Sequence, residues 1–138
     1  GFFLGQQIGE SISKAYSFQG IDLIVPIPLH PKKEFMRGYN QSYVIAQGIE
    51  DKTKIPVMKD ALRRKTFTST QTKKSREERW ENVKDIFEVV DSDRLKGKHL
   101  LIVDDVLTTG STIMAAGMTL SIIEDIKISV ATAACTSA

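Results

Sequence analysis

The chain has 138 residues, 41% hydrophobic and 26% charged, a balance that reads as one soluble, globular domain. With 19 basic and 17 acidic side chains, its formal net charge of +2 is too small to argue for nucleic acid as a partner. The single Cys135 excludes an intramolecular disulfide and any Cys-based zinc cluster, and it fits a reducing cytoplasm.

No apolar run approaches the roughly 20 residues of a membrane span, so no membrane partner is expected. The start, Gly1-Phe2-Phe3-Leu4, is apolar but short and lacks basic flanks, so it is not read as a signal peptide. Leu4, Ile8, Ile12 and Ala15 recur at helical spacing and predict an amphipathic helix over 3–17, ended by Phe18-Gln19-Gly20. A chain that begins so abruptly on a helix reads as a trimmed fragment. Asp22 to Pro28 follows as a strand, and Pro26 and Pro28 each lack a backbone donor, so pairing should stop there. Residues 29–41 read as a loop that concentrates Lys32, Lys33 and Arg37 just past a strand end, a setting for an anion such as pyrophosphate. Arg37 is the strongest candidate because its planar fork suits phosphate oxygens; the lysines taken singly also read as solvated surface charge. Asn40 is the expected N-cap of a helix from Ser42 to Glu50 with Ile45 and Ile49 inward. Ile55 to Met58 is a short strand at most.

Residues 59–84 hold nine basic against four acidic side chains, and apolar residues are scarce between Arg63 and Glu81. This stretch should bury little and be mobile. A solvated basic loop and a nucleic-acid stripe, with Phe67 and Trp80 as the stacking groups, are both open readings. Asp85 to Val90 is the next strand and Asp91 to Lys98 a turn.

The most informative stretch is 99–112. Leu100 to Val103 is a continuous apolar run, as in a strand buried on both faces. Asp104 and Asp105 stand where the run stops. Thr108, Thr109, Gly110, Ser111 and Thr112 come next, and Ile113, Ala116, Leu120 and Ile123 then share one helical face. The free N–H groups of a helix start, a close backbone approach at Gly110 and four hydroxyls make a phosphate cradle. Carboxylates would repel that phosphate but accept well from sugar hydroxyls, so cradle and acids together suggest a ribose 5-phosphate. The missing Lys excludes a Walker loop, and the lone Gly excludes a dinucleotide fingerprint. An ordinary strand-turn-helix junction with surface acids is the plain alternative. Ile128 to Ala134 is the last strand, and Cys135 reads as a core or edge thiol.

Val-Asp-Asp-Val-Leu-Thr-Thr-Gly-Ser-Thr resembles the phosphoribosyl pyrophosphate (PRPP) loop of type I phosphoribosyltransferases. Val-Pro-Ile-Pro-Leu-His followed by Arg-Gly-Tyr-Asn-Gln resembles the ComF family of competence-protein-F-like phosphoribosyltransferase domains. The likeness continues through Leu62-Arg63-Arg64, Thr66, Thr70-Gln71, Arg76, Arg79, Asn82-Val83 and Phe87. It implies an α/β fold with a mostly parallel sheet flanked by helices, a flexible hood over about 63–82, and one domain over 1–138. It implies that Asp104 and Asp105 hold the ribose hydroxyls and that residues 108–112 hold the 5-phosphate. Pyrophosphate is then assigned to Pro28, Leu29, His30, Arg37 and Arg76. Mg2+ would arrive with PRPP and take no ligand directly from the protein. The acceptor is not legible, and His30 is the nearest candidate base, though a lone loop His is more often incidental. The family commonly carries an N-terminal four-Cys zinc module, absent from this sequence, and often a Gly where Glu124 to Lys127 stand here. A non-catalytic PRPP or nucleotide sensor is the competing class, with a homodimer, DNA-uptake machinery or single-stranded DNA as candidate partners.

Overall fold

The structure is a computed structural model that describes residues 1–65 and 86–136. In chain order it runs α1 (Phe2–Lys14), a 3-10 turn (Tyr16–Phe18), β1 (Leu23–Pro26), α2 (Pro31–Arg37), α3 (Gln41–Thr53), β2 (Leu62–Arg64) and β3 (Phe87–Val89). A second 3-10 turn (Ser92–Arg94), β4 (His99–Leu107), α4 (Ser111–Leu120) and β5 (Lys127–Cys135) complete it. The strand order is β1-β4-β5, all parallel, and β2 pairs with β3 antiparallel. Beyond Lys65, the stretch expected as a hood, with Arg76, Arg79 and Trp80, lies outside the described residues.

β4 is the central strand, opposite β1 from Leu100 to Val103 and opposite β5 from His99 to Leu107. Both of its faces are covered, which is why its apolar residues form an unbroken run. Leu100 and Ile102 pack with Val25, Phe87, Ala116 and Leu120; Leu101 and Val103 pack with Ile24, Ile45 and Ile49. Of the face expected on α4 and the turn after it, Ala116, Leu120 and Ile123 are buried. The turn back to β5 passes through Asp125 at φ 57, the left-handed conformation that a Gly would supply and that Asp tolerates better than most residues.

Three expectations change, and one open between two alternatives is decided. α1 stops at Lys14, and its buried residues are Gly5, Gly9 and Ile12, whereas Leu4 is exposed. α1 and α3 touch backbone to backbone: a Cβ on Gly5 would run into the Ile45 carbonyl, and one on Gly48 into that of Phe2. Residues 31–37, read as loop, are helix α2, started by Pro31 in its first turn and ended by Gly38 at φ 81. β4 does not end at Val103 but carries Asp104 and Asp105 within it, past the end of the β1 pairing, with Asp104 opposite Thr132 of β5. Cys135 is exposed at the end of the edge strand β5, so it is an edge thiol and no part of the core.

Candidate functional site

The site forms where the β1–β4 ladder opens. Ile27 N–H still donates to the Val103 carbonyl at 2.9 Å. In a parallel ladder the next rung would join Asp105 N–H to the Ile27 carbonyl. Two side chains intercept it. The Asp104 carboxylate accepts from Asp105 N–H at 2.9 Å, and Asn40 Nδ2 donates to the Ile27 carbonyl at 3.1 Å. Asn40 Oδ1 meanwhile accepts from Ser42 N–H at 3.0 Å, the N-cap that the sequence predicts. Pro26 and Pro28 act on the other edge. There β1 pairs with residues 55–58 through the single bridge Ile24–Val57 before its donors run out.

The resulting cleft, ≈ 250 Å3, is lined by Asp104, Asp105, Arg37, Arg64, Ser42 and Thr112, with Leu29 at its side. Larger grooves of ≈ 490 to ≈ 550 Å3 lie between α4 and β3, along α1 and β5, and beside α3. Charge and not size distinguishes the cleft, because it gathers two carboxyls and two guanidiniums on the end of the parallel sheet.

Asp104 is buried and accepts a hydrogen bond from Ser42 Oγ at 3.2 Å. Burial, followed by its neighbour Asp105, pushes its carboxyl up from 3.8 to about 6, while the Asp105 N–H and Ser42 pull the other way. Asp105 accepts from Val106 N–H at 2.9 Å and is less buried. Arg64 Nε donates to the Pro28 carbonyl at 2.7 Å, and its guanidinium lies 4.9 Å from the centre of the Phe87 ring. Burial lowers the Arg64 pKa, and Asp104 opposes that. Arginine keeps its charge through such shifts.

The other sequence candidates are placed more variously. Thr112 reaches the cleft; Thr108, Thr109 and Ser111 are exposed beside it. Thr109 Oγ1 donates to Ser111 Oγ at 3.1 Å and accepts from Ser111 N–H at 3.3 Å. Gly110 is the N-cap of α4 at φ 82 and supplies no side-chain cap, so beyond the Ser111 N–H that Thr109 takes, the first turn of α4 keeps donors free among the described residues. A Cβ there would meet only Leu107 Cδ1 at 3.7 Å, so the left-handed backbone, and not crowding, asks for glycine. Pro28 contributes a carbonyl already held by Arg64. His30 is exposed and its Nδ1 accepts from Lys32 N–H at 3.2 Å, capping α2. Sequence reasoning placed Arg64 only within the basic hood, with no role of its own, and assigned none to Ser42. The Arg-Arg pair was visible, but its partner Pro28 lies 36 residues back, a contact no local pattern encodes. Among the described residues no group of three or more His, Cys, Asp or Glu side chains is placed to hold a metal ion.

Comparison with known proteins agrees with this geometry. Residues 40–135 match the family model described as phosphoribosyl transferase domain. The chain is 33% identical over 93 residues to competence protein F of Haemophilus influenzae, covering 67% of this chain and 41% of that protein. It is 36% identical over 92 residues to the DNA utilization protein YhgH of Escherichia coli K12, covering 67% and 40%. The chain thus spans about 40% of the length of these relatives. Its fold is similar to that of glutamine PRPP amidotransferase from B. subtilis, with a TM-score of 0.64 at 19% identity over 96% of this chain and 26% of that one. A parallel sheet opened at one rung, acids on its central strand and a glycine-started helix beyond them fit what the matches say: the chain belongs to the phosphoribosyl transferase domain family, as a competence-protein-F-like member.

Proposed function

We propose that the cleft binds PRPP and that the domain transfers its phosphoribosyl group to a nucleophilic acceptor. The observation that carries this reading is the pairing of two carboxyls with a donor-rich helix start in one cleft. Asp104 and Asp105 accept from the ribose hydroxyls, and the turn 108–112 with the first turn of α4 receives the 5-phosphate. Arg37, at the mouth, meets the diphosphate. At ≈ 250 Å3 the cleft that the described residues form is smaller than the roughly 300–1,000 Å3 of enclosing ligand pockets. In the reaction the acceptor's lone pair forms a bond to the anomeric carbon while the bond to the diphosphate oxygen breaks. Diphosphate leaves with that electron pair, and the acceptor's proton passes to solvent.

Carboxyls and phosphates are hard oxygen donors that suit Mg2+, which would neutralise the leaving diphosphate and take most of its ligands from PRPP and water. The protein's own part is to orient the ribose through the acids and to place positive charge where negative charge develops. An unpaired, exposed thiol at Cys135 suits a reducing, cytoplasmic setting. Names such as competence protein F and DNA utilization protein favour a second reading, a PRPP-binding module of DNA uptake that does not turn over.

Calorimetry with magnesium and PRPP tests the site: Asp104→Asn with Asp105→Asn should weaken binding at least tenfold, since each lost charge-assisted hydrogen bond is worth about 1.5–3 kcal/mol. Unaltered affinity in the double variant sinks the ribose assignment. Screening purines, pyrimidines and amines for magnesium-dependent pyrophosphate release separates the two readings. A protein that binds PRPP and releases none with any acceptor is the sensor.

A further inference from the structure

The start of α3 ties the acid of β4 to the chain just after β1. Asn40 Nδ2 holds the Ile27 carbonyl and Asn40 Oδ1 holds the Ser42 N–H, so the first turn of α3 is anchored before any ligand arrives. From there Ser42 Oγ donates to Asp104, 62 residues further along the chain. Ser42 is only 4% exposed, so its hydroxyl serves the carboxyl and hardly meets solvent. The other donor to Asp104 is the Asp105 N–H, and both donors reach the same oxygen, Oδ1. Oδ2 receives no donor among the described residues. The last torsion of an aspartate is soft, and one hydrogen bond from the next residue constrains it weakly. Two donors from different elements on one oxygen fix the carboxyl plane and decide which oxygen is left over. Asp104 lines the cleft, and a buried carboxyl short of a donor favours a ligand that brings one. A sugar hydroxyl brings a donor, whereas an ionised phosphate oxygen brings none.

We propose that Ser42 is a positioning residue: by holding Oδ1 of Asp104 it presents Oδ2 to a hydroxyl of the bound sugar, and so tunes the affinity of the cleft for the ribose part of its ligand. This rests on the PRPP reading above. Ser42 acts through Asp104, and Asn40 keeps it in place.

The test is calorimetry of ribose 5-phosphate, magnesium PRPP and magnesium diphosphate against the wild type, Ser42→Ala, Ser42→Cys and Ser42→Thr. Diphosphate carries no sugar hydroxyl, so it reports whether the rest of the cleft is intact. Ser42→Ala should weaken ribose 5-phosphate and PRPP by at least about fivefold and leave diphosphate within about twofold. Cys is close to Ser in size but a weak donor, so Ser42→Cys should lose nearly as much as Ser42→Ala. Thr keeps the hydroxyl, so Ser42→Thr should recover most of the affinity. That order follows donor strength and neither size nor helix propensity. Should Ala upset the fold, Cys against Thr carries the same comparison. Ribose 5-phosphate affinity that is unchanged in both Ser42→Ala and Ser42→Cys overturns the proposal. A parallel loss of all three ligands also overturns it, because Ser42 would then merely support the start of α3. In both cases the wild type still binds PRPP; a wild type that binds neither PRPP nor ribose 5-phosphate overturns the PRPP reading as well.

Discussion

Asp104 is held where ionisation is costly, and that has a measurable sign. Its carboxyl stands at about 6 in the folded protein against an ordinary 3.8. Between those values the folded state keeps a proton that the unfolded chain has lost, so stability falls as pH rises through this window and the full penalty is present above about 6. A shift of this size amounts to roughly 2–3 kcal/mol. Asn at this position never ionises, and its Oδ1 can still accept from Asp105 N–H. Urea unfolding at pH 4 and pH 7.5 should therefore show Asp104→Asn gaining on the wild type by about that amount at the higher pH. A difference that stays flat with pH would mean that Asp104 is not strained by burial. The acid pair was legible in the sequence because carboxyls rarely follow a buried apolar run without a task. Its surroundings were not legible: Ser42 lies 62 residues from Asp104, and a serine two residues past a cap looks like any helix residue.

At the level of elements, glycine separates two kinds of helix contact. Gly48 on α3 lies so close to α1 that a Cβ would strike the Phe2 carbonyl and crowd Gly5. Gly117 on α4 has nothing within 4 Å of such an atom. Alanine raises helix propensity by about 1 kcal/mol at either place. Gly117→Ala should thus stabilise by about 0.5–1 kcal/mol, whereas Gly48→Ala should destabilise by roughly 1–3 kcal/mol net, because backbone cannot yield as a side-chain tip can. Denaturant midpoints decide it, and a neutral Gly48→Ala would show that the two helices can slide apart freely. These glycines explain why the expected stripe on α1 was half wrong. Apolar periodicity marks faces covered by side chains, and α1 uses Gly5 and Gly9, which carry no such signal. α2 escaped for the opposite reason. It buries nothing, so it has no periodicity, although Pro31 at its start and Gly38 beyond its end were in view.

For the molecule as a whole, β4 unites two cores, one on each face of the sheet. Hydrogen exchange should rank accordingly: amides of Leu100 to Val103 slowest, those of α2 fast, since no packing must break for α2 to open. Uniform protection across both would contradict this hierarchy. The parallel α/β class was legible because a doubly covered strand shows as an unbroken apolar run. The length of β4 was not, because Asp104, Val106 and Leu107 lie beyond that run yet still pair with β5. That overhang is a latent zipper. Asn40 and Asp104 each occupy one half of the rung between Ile27 and Asp105. A chain with Ala at both positions would let the rung close, lengthen the sheet by a step and slow the exchange of the Asp105 amide. Regularity and the site therefore compete for the same pair of hydrogen-bonding groups, and any drift toward a more complete sheet is a drift away from a place to bind.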